Sequence, residues 1–166
     1  MKKNCLTILI AVFLLICLNG LQAQTTQTEL NQMECINQLI GSWKCEIGKD
    51  TTSYNYYTTY GTGVDVNIKN VTKGKTVREA RINWAYDKTL DKIIGLYQIK
   101  GEDIDPLWAV QWISKNKYFL VGYKDISNPK DASTRLEGTL KSHDLLETTY
   151  YVNNKPVKTV IYTRVK

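Results

Sequence analysis

Short runs of alternating apolar and polar residues follow one another from Ser42 to the end of the chain. In the first run, Trp43, Cys45 and Ile47 alternate with charged residues, and residues 48–50 (Gly-Lys-Asp) then predict a turn. Alternation with a period of two is typical of strands that bury only one face. The chain therefore predicts an all-β antiparallel domain of nine or ten strands, at a spacing of roughly 8–12 residues.

The predicted strands after the first share this alternation or are rich in good strand formers such as tyrosine and threonine. They are residues 53–60, 64–69, 77–86, 92–100, 107–114, 118–125, 135–141, 145–152 and 157–165. Tight turns such as residues 153–155 (Asn-Asn-Lys) predict consecutive hairpins in an up-and-down order. Such a sheet can close on itself and remove its exposed edges, so a barrel accounts for the pattern, and a β-sandwich is the alternative.

The first residues have the composition of a secretory signal. Lys2 and Lys3 precede an apolar run at residues 5–18, and Ala23 supplies the small residue that a cleavage site requires. The run of about 14 residues is shorter than the roughly 20 that span a bilayer. We therefore expect a cleaved signal peptide at residues 1–23, export to the periplasm or secretion, and no stable membrane span after cleavage.

Cleavage after Ala23 leaves 143 residues, which is the size of one domain. Residues 24–38 are expected to form a polar leader and a short helix, because apolar residues recur at helical spacing between Leu30 and Leu39. Residues 39–166 are expected to form the β-domain.

Two residues at the ends of this domain carry a family resemblance. Residues 41–43 (Gly-Ser-Trp) on the first predicted strand, together with Arg164 on the last, resemble the signature of the calycins, the lipocalins and their relatives. The stretches 84–88 and 161–164 are similar to bacterial lipocalin-like domains of unknown function, whereas the Thr-Asp-Tyr type of lipocalin motif is missing. The resemblance covers residues 39–166 and implies an up-and-down barrel with a cavity. It also implies that Trp43 packs across the closed end with Arg164 over its ring, which is a structural role.

Aromatic residues on the predicted strands are the candidates for a ligand-binding surface. They are Trp84, Tyr97, Trp108, Trp112, Tyr123 and Tyr150. Several lie on the same strand face as apolar neighbours: Trp108 and Trp112, for example, share a face with Val110. If these faces point inward, they line a cavity with the flat rings and few polar groups that small-molecule pockets use. The alternative is that they fill the interior, since small barrels are often packed solid.

We expect a monomer that binds a small hydrophobic or amphipathic molecule and is not an enzyme. The alternative function is an envelope interaction or structural module with a packed core, in which the tyrosine-rich residues 54–60 form an outer recognition face.

An enzyme would need a titratable group of perturbed pKa inside the cavity, such as Glu79. The sequence contains no nucleophile elbow, phosphate loop or dinucleotide fingerprint.

The net charge and the histidine content limit the kinds of partner and cofactor that the sequence predicts. The formal charge falls from +6 to +4 when Lys2 and Lys3 leave with the signal, and the remaining cations are scattered, so a nucleic-acid partner is not expected. His143 is the only histidine and lies in a predicted turn, so neither a cofactor nor a metal ion is expected.

Cys35 and Cys45 are the cysteines that remain after signal cleavage. In an exported protein they could form one disulfide, which would stabilise so short a loop by roughly 2–3 kcal/mol. The alternative is two buried free thiols, because free cysteine behaves as a small hydrophobic residue.

Overall fold

The structure is a computed structural model that describes residues 30–103 and 106–166. The predicted signal peptide at residues 1–23 lies outside the described residues, as do residues 24–29 of the predicted leader. None of the helices within the described ranges is long and apolar enough to cross a membrane.

Within the described residues, one short helix precedes ten strands. Helix α1 covers Gln32–Asn37. The strands are β1 (Gly41–Gly48), β2 (Thr51–Tyr60), β3 (Gly63–Thr72), β4 (Lys75–Asp87), β5 (Lys92–Ile99), β6 (Leu107–Ser114), β7 (Lys117–Gly122), β8 (Thr134–Ser142), β9 (Leu145–Val152) and β10 (Lys155–Val165). Two turns of 3-10 helix, Tyr123–Asp125 and Pro129–Asp131, lie between β7 and β8.

The ten strands form one closed antiparallel barrel. Each strand pairs with the next one along the chain, and β1 also pairs with β10, where Trp43 is the register partner of Arg164. The prediction of an all-β, up-and-down barrel with a short N-terminal helix is confirmed. Closure leaves no sheet edge in the ring for another chain to pair with.

The helix is shorter than the predicted 30–39 because capping groups fix both of its ends. The Asn31 side chain accepts hydrogen bonds from the backbone N–H groups of Met33 and Glu34, each at 3.1 Å, which makes Asn31 the N-cap. At the other end, Gln38 is the C-cap: its backbone N–H donates to the Cys35 carbonyl at 3.2 Å, and the N–H of Leu39 donates to the Ile36 carbonyl at 2.9 Å.

The predicted placement of Tyr123 on a strand is wrong, because β7 ends at Gly122 and Tyr123 begins a 3-10 turn. The backbone N–H of Ile126 donates to the Tyr123 carbonyl at 3.2 Å, which closes this turn. The turn brings Ile126 over the outer face of β6 and β7, where it is buried against Ala109 and Val121. Burial of this small second cluster favours the turn over a longer strand.

Helix α1 closes one end of the barrel. Ile36 and Leu39 are buried against Trp43 and Trp112 in the main core. Gln32, only 1% exposed, holds the helix to β6: its Nε2 donates to the Trp112 carbonyl at 3.1 Å and its Oε1 accepts from the Trp112 N–H at 2.8 Å. Both the donor and the acceptor atom of this buried amide thus have a partner, and the helix has a defined position on the barrel.

Candidate ligand-binding cavity

Trp43 and Arg164 meet at the end of the barrel that α1 covers. Trp43 is completely buried, and the guanidinium carbon of Arg164 lies 4.2 Å from the centre of its ring. The Trp43 indole N–H donates to the Leu39 carbonyl at 2.8 Å. A cation over an indole face contributes roughly 0.5–2 kcal/mol, so this contact stabilises the closed end.

The Arg164 side chain also connects three backbone segments at this end. It donates to the carbonyl oxygens of Gln38 at 2.9 Å, of His143 at 3.0 Å, and of Ile40. A Cβ at Gly41 would lie 2.7 Å from the nearer guanidinium nitrogen, and the φ angle of Gly41 is +120°. Only glycine allows this backbone and this close approach, which explains why a glycine lies two residues before the tryptophan.

Above the closed end the barrel encloses a cavity of about 260 Å³. Ile36 of α1 and Leu39, which follows the helix, line its closed end, and residues from strands around the ring line its walls. Most of these side chains are aliphatic or aromatic, and none of the described residues that line the cavity is an Asp, Glu, Lys, Arg or His. The interior is therefore hollow and mostly apolar, and the described residues that line it carry no formal charge.

Four of the six aromatic residues proposed from the sequence line this cavity: Trp84, Tyr97, Trp108 and Tyr150. Trp112 lies on the same strand face as Trp108 but is completely buried near α1, with its ring 4.8 Å from that of Tyr118, and it does not line the cavity. Tyr123 lies in the 3-10 turn outside the cavity and is 42% exposed.

Two strand glycines make room for rings of the barrel interior. A Cβ at Gly95 would lie 2.2 Å from Cε3 of Trp84, and a Cβ at Gly138 would lie 2.1 Å from Cζ of Tyr118. Each glycine thus lets an aromatic ring lie flat across the neighbouring strand. These two positions help to set the shape of the cavity.

Sequence reasoning missed the polar part of the cavity wall, which consists of Asn55, Tyr57, Tyr118, Thr148 and Tyr162. The prediction that Tyr57 lies on an outer recognition face with its neighbours is wrong. The register between β1 and β2 places Asn55 opposite the buried Trp43, so Asn55, and Tyr57 two residues further on, point inward. The pairing of β2 with β1 is therefore the signal that could have identified Asn55 and Tyr57 as cavity residues.

The other tyrosines of β2 do lie outside. Tyr54 and Tyr56 stack with ring centres 6.4 Å apart, and Tyr60 is 72% exposed. The tyrosine-rich strand is therefore divided between the cavity and the outer surface, and it does not form a single recognition face.

Several inward polar side chains form a connected polar group on three adjacent strands. The Asn55 side chain lies beside the hydroxyl groups of Tyr57 and Tyr162, and it accepts a hydrogen bond from the Ser53 hydroxyl at 3.4 Å. The Tyr162 hydroxyl in turn lies beside the Cys45 thiol. Burial raises the pKa of Tyr57 to about 12, and burial also raises the pKa values of Tyr118 and Tyr162. All three phenols are therefore protonated, neutral groups at pH 7.

These pKa values predict a loss of stability in strong base. Because the folded pKa of Tyr57 is about 12 and the unfolded value is about 10, stability is complete below pH 10 and falls as the pH rises towards 12. Tyr57 alone accounts for about 2–3 kcal/mol of this loss. In urea unfolding at pH 9 to 12, we expect Tyr57→Phe to reduce the dependence on pH and Tyr60→Phe, on the exposed end of the same strand, to preserve it. An unchanged pH dependence in Tyr57→Phe would contradict the assignment.

Cys35 and Cys45 are buried free thiols in the structure, and the disulfide considered from the sequence is not formed between them. Cys35 lies on α1 and Cys45 on β1, where the Tyr162 hydroxyl is its partner. Burial raises the pKa of each thiol. Both act as small core residues in this arrangement.

Among the described residues, no acidic, basic or histidine side chain lines the cavity. Glu79, the acid considered for an enzyme, forms an ion pair with Lys100 at 2.8 Å, and the hydrogen bond from Lys100 lowers its pKa. It does not line the cavity. Within residues 30–103 and 106–166, no group of three or more His, Cys, Asp or Glu side chains is placed to hold a metal ion. The His143 ring is exposed beside Asp144.

The fold and the site together define a closed, ten-stranded antiparallel β-barrel with a hollow apolar interior. Comparison of the sequence with protein-family models and with curated proteins gives no match. The fold is compatible with that of the calycins.

Proposed function

We propose that this is an exported, lipocalin-like protein that binds a small hydrophobic or amphipathic molecule inside its barrel and does not act as an enzyme. The observation that carries the proposal is the uncharged cavity of about 260 Å³, lined by aliphatic and aromatic side chains. Concave, mostly apolar cavities with a few polar groups are the usual form of small-molecule sites.

The volume limits the size of the ligand. At about 260 Å³ the cavity is slightly below the roughly 300–1,000 Å³ of pockets for drug-sized ligands. A compact molecule of one or two rings suits this volume better than a long extended chain. Trp84 and Trp108 offer flat faces for such rings.

Family membership and export rest on separate observations. The contact between Trp43 and Arg164 has the form that the calycin resemblance implies, and this contact supports the lipocalin-like assignment. Export rests on the composition of residues 1–23. A packed interaction module is a weaker proposal, because the interior is hollow and Tyr57 belongs to it.

Native mass spectrometry tests the proposal directly. We expect the purified protein to carry the additional mass of a small organic molecule, either retained from the cell or taken up from excess naphthalene, and to lose it on denaturation. A native mass that equals the polypeptide mass under both conditions would contradict ligand binding in the cavity.

A further inference from the structure

We propose that the ligand is an uncharged molecule whose apolar ring system carries a hydrogen-bond acceptor, such as a ketone or aldehyde carbonyl, that binds the hydroxyl groups of Tyr57 and Tyr118. This inference rests on the proposed function and specifies its ligand class. It follows from where the hydroxyl groups lie, which of them already have partners, and the absence of charge around them.

The hydroxyl groups converge from different strands on one cavity. Tyr57 belongs to β2, Tyr118 to β7 and Tyr162 to β10, and all three line the cavity. The charge that ionised Tyr57 would carry raises the pKa values of both Tyr118 and Tyr162. Such mutual effects require the three phenol groups to be close together.

The contacts within this polar group leave two donors for a ligand. The Asn55 side chain lies beside the hydroxyl groups of Tyr57 and Tyr162, and the Tyr162 hydroxyl lies beside the Cys45 thiol. Tyr118 is only 6% exposed, and its hydroxyl has no hydrogen-bond partner within residues 30–103 and 106–166. The O–H groups of Tyr57 and Tyr118 are therefore available to an acceptor in the cavity, and burial of an unpaired hydroxyl is unfavourable.

The surroundings favour a neutral acceptor over an anion. No cation lines the cavity among the described residues. Arg78 lies 5.8 Å from the Tyr97 ring but is exposed at the open end, and Lys158 donates to the Ile47 carbonyl at 3.0 Å. A carboxylate inside would lose its hydration without an opposite charge to replace it, whereas a carbonyl oxygen needs only the phenol donors.

Calorimetric titration at pH 7 with three matched probes tests this inference: naphthalene, 2-acetylnaphthalene and 2-naphthoate. We expect the ketone to bind at least about tenfold more tightly than the carboxylate. Tyr118→Phe should weaken ketone binding by about three- to tenfold, the effect of one lost hydrogen bond, and leave naphthalene binding within about twofold. Tyr60→Phe, an identical change at an exposed site, should alter neither.

Tyr57→Phe provides a second variant for the case in which Tyr118→Phe fails to fold, as judged by thermal unfolding. Equal or tighter binding of 2-naphthoate would overturn the inference, as would unchanged ketone binding in the phenylalanine variants. In both cases, binding of naphthalene would leave the proposed function intact. If none of the three probes binds, the proposed function fails as well.

Discussion

Replacement of Trp43 by alanine is expected to lower the free energy of unfolding by about 3–5 kcal/mol. The side chain is completely buried, its ring lies 4.2 Å from the Arg164 guanidinium, and its N–H donates to the Leu39 carbonyl. Truncation removes all three contributions and opens a cavity at the closed end. Because α1 and the junction of β1 with β10 meet there, we expect the whole barrel to lose stability in one cooperative transition.

Urea unfolding monitored by circular dichroism measures this effect. Tyr60→Ala, on the exposed end of β2, is the control and should change stability by no more than about 0.5 kcal/mol. Arg164→Lys should have an intermediate effect, because lysine keeps the charge but loses the planar group that donates to three carbonyls. An unfolding free energy of Trp43→Ala within about 1 kcal/mol of the unchanged protein would contradict the structural role of this contact.

The strands could be predicted from the sequence because most of them have one face towards the core and one towards water. Val64, Val66 and Ile82, for instance, alternate with polar neighbours and are buried in the structure. Closure of the ring has no such local signal. It was predicted from the resemblance carried by Trp43 and Arg164, which are register partners on β1 and β10.

The candidate site was harder to predict. Alternation along a strand shows which face of the sheet a residue lies on, but it does not show how far from the closed end of the barrel that residue lies. Trp108 and Trp112 lie on the same face of β6, yet Trp108 lines the cavity, whereas Trp112 is covered near α1, where Gln32 binds its backbone. On β2 the usual pattern is inverted: Asn55 points inward, while Tyr56 is 37% exposed. A polar residue on the inner face is recognised only once the neighbouring strand's register is known.

Filling the cavity should abolish binding while the barrel stays folded. Leu120 on β7 lines the cavity and is half-buried, so a larger side chain at this position occupies the space that a ligand would need. Ile113 on β6 is 37% exposed and does not line the cavity, which makes Ile113→Trp the matched control. The two variants receive the same indole ring on different sides of the barrel wall.

Calorimetric titration of naphthalene into the unchanged protein, Leu120→Trp and Ile113→Trp tests the central claim that the barrel interior is a ligand site. We predict that the unchanged protein and Ile113→Trp bind with the same affinity, and that Leu120→Trp binds at least about thirtyfold more weakly, a loss of about 2 kcal/mol. Equal affinity of all three proteins, or no binding to the unchanged protein, would contradict the claim.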